Sequence, residues 1–137
     1  DFNLLASAGY VASLRLEGSD LSNKVIAFIF KNFNKEIDLH TVAALVNMNP
    51  SAFSRSFKRV HRKTFSKFVN EIRIGYACKL LIENEMNVAA IAYESGFNNL
   101  SNFNRQFKII KQMSPSAYLK KHNRYTTEAL YLRSVQK

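Results

Sequence analysis

The sequence predicts an all-α fold of about seven helices, arranged as two helix-turn-helix subdomains that a long linker helix joins. Three observations favour this fold class. Hydrophobic residues make up 47% of the 137 residues, enough for a core, whereas four glycines and two prolines offer little turn chemistry for a fold of many strands. Apolar side chains recur at helical rather than strand spacing. A pattern in the first half of the chain returns in the second half.

The first subdomain is predicted over residues 19–63 and opens with a helix. Ser19 and Asp20 are expected to cap this helix, which should end near Phe33. Its predicted inner face comprises Ile26, Ile29, Phe30 and Phe33. The helix should therefore pack through this face.

Two shorter helices complete the first subdomain, and Asp38 is expected to cap the first of them. Asn49 precedes Pro50, which is typical of an N-cap followed by proline at the first helical position. Phe53 and Phe57 then recur one helical turn apart, so we expect them in the core and not as base-stacking platforms. The segment is predicted to be helix, tight turn, helix.

A long linker helix is predicted over residues 64–85, with Thr64 as its N-cap. Gly75 lies inside this helix, where glycine costs about 1 kcal/mol relative to alanine. We therefore expect another backbone segment to pack closely against Gly75.

The second subdomain is predicted over residues 86–122. Asn87 should cap its first helix, Gly96 should adopt a positive φ at the end of that helix, and Asn99 should cap the next one. Ser114, which precedes a proline, should cap a final helix.

The two ends of the chain are less regular in pattern. We expect residues 1–18 to be a linker or the end of an upstream domain, because the chain begins with Asp1 and not with Met. We expect residues 123–137 to form a partly frayed C-terminal tail.

An internal duplication relates the two subdomains. The motif F-x-R-x-F-K begins at Phe53 and again at Phe103, and Thr64 corresponds to Ser114 after each motif. A pattern repeated over this length indicates one supersecondary unit used twice.

The charge of the chain indicates the kind of partner. Twenty lysines and arginines against ten acids give a formal net charge of +10, so we expect a polyanion, with nucleic acid first and an anionic membrane surface second. No acid lies between Asp38 and Glu71 or between Glu94 and Glu128, and each stretch carries six cations. The alternative, two solvated helix faces, would usually intersperse acids.

The second helix of each unit has a small, polar and basic outer face, which suits a helix that enters a major groove. The candidate base-reading residues are Ser51, Ala52, Ser54, Arg55, Ser101, Asn102, Asn104 and Arg105. The candidate phosphate-contacting residues are Lys58, Arg59, Arg62, Lys63, Lys108 and Lys111. Asn and Arg offer bidentate contacts to adenine and guanine, whereas cations further along the helix reach phosphates.

Four spaced motifs carry a family resemblance. They are Ile91-Ala92-x-x-x-Gly96-Phe97, Ser101-x-Phe103-x-Arg105-x-Phe107-Lys108, Ser114-Pro115-x-x-Tyr118 and, in the linker helix, Arg73-x-x-x-Ala77-x-x-Leu80-Leu81. With these motifs, residues 21–122 resemble the DNA-binding domain of AraC/XylS-type bacterial transcription activators. Arg62 and Gln112 stand where that family usually has Gly, and Leu119 stands where Arg is common. None of the three lies on an expected reading face.

The resemblance implies a sequence-specific module for double-stranded DNA, in which two recognition helices read successive major grooves of an asymmetric site. It implies RNA polymerase as a candidate second partner, and an N-terminal domain through which the full-length protein could dimerise. The present chain carries both reading heads, that is, both recognition helices, so it is expected to bind as a monomer. Its single cysteine favours a reducing cytoplasm, and each basic helix should bury its Phe stripe, which leaves nothing apolar to insert into a membrane. The alternative is a non-specific basic helical adaptor for RNA or an anionic membrane surface.

We expect no catalytic, metal or cofactor site. The three histidines form no metal-ligand pair, no glycine-rich phosphate loop or serine elbow occurs, and a single cysteine excludes an internal disulfide. Cys78 is expected to be a small packed thiol, and His61 a solvated side chain. Arg73 has two interpretations: a structural ion pair in the helical core, which we favour, and a phosphate contact.

Overall fold

The computed structural model describes residues 19–83 and 85–135, and their regular structure is entirely α-helical. The helices are α1 (Ser19–Asn32), α2 (Leu39–Leu45), α3 (Pro50–His61), α4 (Phe65–Glu83), α5 (Val88–Glu94), α6 (Leu100–Lys111) and α7 (Pro115–Val135). The all-α prediction is confirmed for these residues. The prediction for residues 1–18 lies outside them.

Six predicted N-caps are confirmed, and they fix where six of the helices begin. The capping residues are Asp38, Asn49, Thr64, Asn87, Asn99 and Ser114. Each asparagine accepts a hydrogen bond through Oδ1 from the backbone N–H three residues later, at 2.7 or 2.8 Å. These bonds satisfy amides that a helix N-terminus otherwise leaves without a partner.

The inward face of α1 agrees only in part with the predicted one: Ile29 is buried and Phe33, just beyond the helix, packs against buried residues as expected, but Phe30 does not. Val25 and Ile29 are fully buried, whereas Phe30 is 57% exposed. Since each residue turns the helix by about 100°, the position after a fully buried residue points well away from the core. Ser19 and Asp20 were expected to cap this helix, but both lie within it, and Asp20 is in the first turn.

The first core gathers apolar side chains of α1, α2, α3 and the start of α4. Its buried residues are Val25, Ile29, Val42, Ala43, Val46, Met48, Phe53, Phe57 and Val69. The Phe57 ring packs edge-on against two rings of α4, with centroids 5.4 Å from Phe65 and 5.3 Å from Phe68. Such tilted contacts are the preferred geometry of aromatic pairs.

The second core gathers side chains of α4 to α7. Its buried residues are Ile74, Ala77, Cys78, Leu80, Leu81, Ile91, Ala92, Phe97, Phe103 and Phe107. The boundary between the two compact units falls between Ile72 and Arg73, within α4. The linker helix therefore supplies core residues to both units, from its first and second halves respectively.

The duplication extends to the geometry of the rings. The centroids of Phe53 and Phe57 lie 5.8 Å apart, and those of Phe103 and Phe107 lie 5.7 Å apart. The corresponding ring of the following helix, Phe68 in one unit and Tyr118 in the other, meets the second Phe at interplanar angles of 77° and 78°. The two units thus pack the same inner face in the same way.

The two tight turns are also equivalent. Asn47 and Gly96 both adopt a positive φ, of 56° and 102°. One residue later, the backbone N–H of Met48 donates to Ala43 O and that of Phe97 donates to the oxygen of the matching alanine, each at 3.0 Å. The predicted conformation of Gly96 is confirmed, and this hydrogen bond closes the end of the first helix in each unit.

Gly75 does not have the predicted close neighbour. It is exposed on α4, and a Cβ atom at this position would meet nothing within 4 Å, its own helix backbone aside. The preceding residue, Ile74, is fully buried, so the helical rotation turns Gly75 away from the core. The expectation of close backbone packing is therefore wrong.

The last helix is longer than predicted. Residues 123–137 were expected to form a frayed tail, but α7 continues without interruption to Val135. No glycine or proline follows Pro115, so nothing in the sequence breaks the helix once Ser114 has capped it. None of the helices in the described ranges is long and apolar enough to cross a membrane.

Candidate nucleic-acid interface

The outer face of α3 presents most of the residues predicted to read bases in the first unit. Ser51 and Arg55 are exposed, and Ser54 is half-buried. Ala52 is only 6% exposed, because it packs at the base of the helix beside Phe53. Its methyl group offers too little surface to contact a base edge, so we leave Ala52 out of the proposed contact set.

The outer face of α6 is more polar at the equivalent positions. Ser101, Asn104 and Arg105 are exposed, and Asn102, which corresponds to Ala52, is half-buried. Further along the helix, Ile109 is 56% exposed where the first unit has Arg59. The two faces therefore share a scaffold but differ in chemistry.

The two arginines predicted to read bases, Arg55 and Arg105, have different surroundings. The Nη2 atom of Arg105 donates a hydrogen bond of 2.6 Å to Oδ1 of Asn102, one helical turn earlier. The residue at the same distance before Arg55 is Ala52, whose side chain has no acceptor. Of these two arginines, only Arg105 is therefore held by a side chain of its own helix, within the part of the chain that the structure describes.

The cations predicted to contact phosphates fall into two groups. Lys58, Arg59, Arg62 and Lys108 are exposed on or just after the C-terminal halves of α3 and α6. Arg59 also donates to Oγ of Ser56, at 3.4 Å. These side chains extend from the helix surface to solvent, as phosphate contacts require.

Two other predicted phosphate contacts are occupied within the fold. The Nζ atom of Lys63 lies 2.7 Å from Oε1 of Glu71, so its charge is largely compensated. Lys111 is half-buried, with its Nζ atom 6.0 Å from the centre of the Tyr118 ring, in a cation–π arrangement. The sequence pattern placed both in basic stretches, but each has an intramolecular partner.

His61 is not the solvated side chain that we expected. Its Nε2 atom forms a hydrogen bond of 3.1 Å with Oγ of Ser22, and its ring centre lies 4.3 Å from that of Phe57 and 5.6 Å from that of Phe68. Burial, and secondarily the charge of Lys63, lower the pKa of His61 below 6.5. His61 therefore ties the end of α3 to α1 and is a packing residue.

Arg73 and Cys78 both belong to the interior of the second unit. The guanidinium of Arg73 lies over the Phe97 ring, 5.9 Å from its centre, and burial lowers the pKa of this arginine. Cys78 is buried as expected, and burial raises the pKa of its thiol, which hydrogen-bonds with Tyr118. Within the described residues, no group of three or more His, Cys, Asp or Glu side chains could hold a metal ion.

Comparison with known families and curated proteins places this geometry among helix-turn-helix regulators. A family model described as a helix-turn-helix domain matches residues 42–121. The regulatory protein PocR of Salmonella typhimurium is 31% identical over 100 residues, which cover 73% of this chain and 33% of that protein. The melibiose operon regulatory protein of Escherichia coli is 28% identical over 98 residues, 72% of this chain and 32% of that protein. The chain thus spans about a third of the length of these curated relatives.

Solved structures share the fold. The C-terminal domain of AraT, a response regulator from Geobacillus stearothermophilus, matches 77% of this chain and 88% of its own, with a TM-score of 0.70 and 26% identity. The DNA-binding domain of the global transcriptional factor AdpA, solved with a target DNA, matches 77% of this chain and 94% of its own, with a TM-score of 0.70 and 23% identity.

Proposed function

The chain belongs to the AraC/XylS-type family of helix-turn-helix transcription regulators, and on this premise we propose that it reads two successive major grooves of an asymmetric duplex site, one with α3 and the other with α6. It is a sequence-specific DNA-binding module. The observation that carries the proposal is the equivalent pair of helices, each with a fully buried Phe pair on the inner face and an exposed arginine and lysine on the outer face.

The order of side chains along each helix supports separate roles for them: base contact near the N-terminus and phosphate contact near the C-terminus. Arg55 and Arg105 lie in the N-terminal half of their helices, where a recognition helix contacts base edges. Lys58 and Lys108 lie in the last turns, where a cation reaches the phosphate backbone. Base contacts then specify the sequence, and phosphate contacts fix the position of the protein.

The difference between the two heads supports an asymmetric site. The first head offers Ser51, Ser54 and Arg55, so the arginine is its main hydrogen-bonding group for guanine. The second head adds Asn104, which can pair with adenine, and places Asn102 where the first has a buried alanine. Two heads in one chain also support binding as a monomer, because no second subunit is needed to fill a second groove.

The remaining partners follow from the same family assignment. We propose RNA polymerase as a second partner of the whole regulator, the cytoplasm as its location, and dimerisation through a further domain. Since the curated relatives are about three times as long as the matched segment, they contain residues that could supply such a domain.

A competition experiment tests the proposal. To displace the protein from a labelled duplex carrying the preferred site, an unrelated duplex of equal length should need a concentration roughly a thousand-fold higher than the unlabelled preferred duplex. This ratio is at the lower end of the range for specific binders. Single-stranded RNA and vesicles of anionic lipid should compete no better than the unrelated duplex. If these three competitors were as effective as the unlabelled preferred duplex, the result would contradict the proposal and favour a non-specific basic adaptor.

A further inference from the structure

We propose that Asn102 is a positioning residue, which holds the Arg105 guanidinium for the base that it reads and so makes the second head more discriminating than the first. This inference rests on the proposed function of α6 as a reading helix. It changes the role expected for Asn102, from reading adenine to supporting a neighbour.

A short chain of hydrogen bonds fixes Arg105 to the start of its helix. Asn99, the N-cap, accepts a bond of 2.7 Å from the backbone N–H of Asn102. The side chain of Asn102, which is half-buried, in turn accepts the 2.6 Å bond from Arg105. The arginine is therefore linked through Asn102 to the capped first turn of the helix.

The first head lacks the last link of this chain. The backbone N–H of Ala52 donates to Oδ1 of Asn49 at 2.8 Å, so the cap is the same. Its methyl side chain accepts nothing, and Arg55 has no hydrogen bond or ion pair within residues 19–83 and 85–135 as described. Arg55 in the first unit therefore serves as the internal control for Arg105 in the second.

The chemistry of an amide suits this role. An asparagine oxygen accepts a hydrogen bond without cancelling the positive charge of the guanidinium, as the carboxylate of an aspartate would. Arginine has five N–H donors, so one bond to Asn102 leaves enough for the O6 and N7 acceptors of guanine. Because Arg105 has already lost part of its rotamer freedom, ordering it on DNA costs less than ordering Arg55.

The same bond limits what Asn102 can read. Bidentate contact with adenine needs both the oxygen and the nitrogen of an amide. The Oδ1 atom of Asn102 already accepts a hydrogen bond from Arg105, whereas the side chain of Asn104 is exposed on the same helix. Adenine recognition in the second half-site therefore passes to Asn104.

The experiment compares base preference at one position. The duplexes would differ only at the base pair at which Arg105→Ala abolishes the preference. In the unmodified chain, the ratio of affinities for the preferred and the other base pairs should be about ten- to a hundred-fold. Asn102→Ala should reduce that ratio about five-fold or more and should have no further effect when combined with Arg105→Ala. Asn102→Asp, which keeps the acceptor, should restore the ratio while weakening binding to every duplex. Asn104→Ala is the matched control and should change preference at a different base pair.

Two results would overturn the inference. One is an unchanged ratio in Asn102→Ala; the other is loss of an adenine preference by Asn102→Ala in the Arg105→Ala background, which would make Asn102 a reader.

A measurement without DNA separates this inference from the proposed function. Side-chain order parameters for the Nε–H groups should be higher for Arg105 than for Arg55 in the free protein, and Asn102→Ala should remove the difference. Equal mobility of the two arginines would overturn the positioning role. If no duplex is preferred but the difference in mobility persists, the proposed function is contradicted, and so is the claim that Asn102 contributes to specificity.

Discussion

At the scale of single residues, changing two glycines to alanine should alter stability in opposite directions. Gly75 lies in α4, and Gly96 lies in the tight turn of the second unit. Gly75 is exposed with open space at its Cβ position, so Gly75→Ala should raise the free energy of unfolding by about 1 kcal/mol. Gly96 has a φ of 102°, so Gly96→Ala should lower it by about 1–2 kcal/mol. Urea unfolding of both variants checks this pair. A destabilised Gly75→Ala variant would show that a neighbour does pack there.

His61 should make the stability of the first unit depend on pH. Burial first, and Lys63 second, lower its pKa in the folded protein below 6.5, so the unfolded chain binds the proton more readily. The free energy of unfolding should therefore be fully maintained above about pH 6.5 and should fall as the pH decreases through the lower, folded pKa.

The measurement is urea unfolding of the wild type and His61→Phe between about pH 7.5 and 5. The Phe variant keeps a ring against Phe57 and should lose this part of the pH dependence. An equal slope in the two proteins would contradict the assignment.

The sequence was informative about which side chains are exposed on the outer faces of α3 and α6, but not about which cations are already paired. Arg55, Lys58, Arg105 and Lys108 could be placed because the repeated motif fixes their position relative to the buried rings. The pairing of Lys63 with Glu71 could not, because it joins a residue of the turn between α3 and α4 to a residue inside α4. An acid eight positions away is not a helical neighbour, so charge spacing alone does not reveal the pair.

At the scale of helices, the C-terminal ends of α3 and α6 should be under similar strain. Arg62 and Gln112 occupy the left-handed region there, with φ of 64° and 62°. This conformation costs a non-glycine residue about 1–2 kcal/mol, which a glycine would not lose. A glycine in turn loses about 0.5–1 kcal/mol more backbone entropy on folding. Each change to glycine should therefore stabilise its unit by about 0.5–1 kcal/mol, measured by thermal or urea unfolding.

The same two variants separate stability from DNA contact. Arg62→Gly removes a candidate phosphate contact and should weaken binding to all duplexes, whereas Gln112→Gly should leave affinity unchanged. If both variants bind as tightly as the wild type, Arg62 does not contact phosphate.

The helix starts could be predicted and the inward faces only in part. Short polar side chains before apolar runs have a local effect, which is why Asp38, Asn49 and Asn99 are caps as expected. The burial of one face depends on the partner helices, and in α1 they bury Ile29 as expected but Val25 instead of Phe30. The irregular pattern of residues 123–137 predicts fraying, but the segment holds no helix breaker after Pro115, and α7 continues to Val135.

At the scale of the whole molecule, both heads should contribute to the salt dependence of binding. The logarithm of affinity should fall with log salt at a slope of about −0.9 for each phosphate neutralised. Lys58→Ala and Lys108→Ala should each reduce the slope by about one unit, because both side chains are exposed on reading helices.

Lys79 provides the control for this measurement. It lies on α4 and its Nζ atom is 2.9 Å from Oε2 of Glu83, so Lys79→Ala should leave the slope unchanged. Equal slopes in all three variants would indicate that the lysines of α3 and α6 are merely solvated.

The central claim is that one chain carries two different reading heads, and selection from randomised duplexes tests it most directly. The account predicts enrichment of two separated, non-identical motifs about one helical turn apart, with Arg55→Ala relaxing only one motif and Arg105→Ala only the other. A single enriched motif would reduce the first head to a clamp on the backbone. A palindrome, bound by two chains, would contradict the claim.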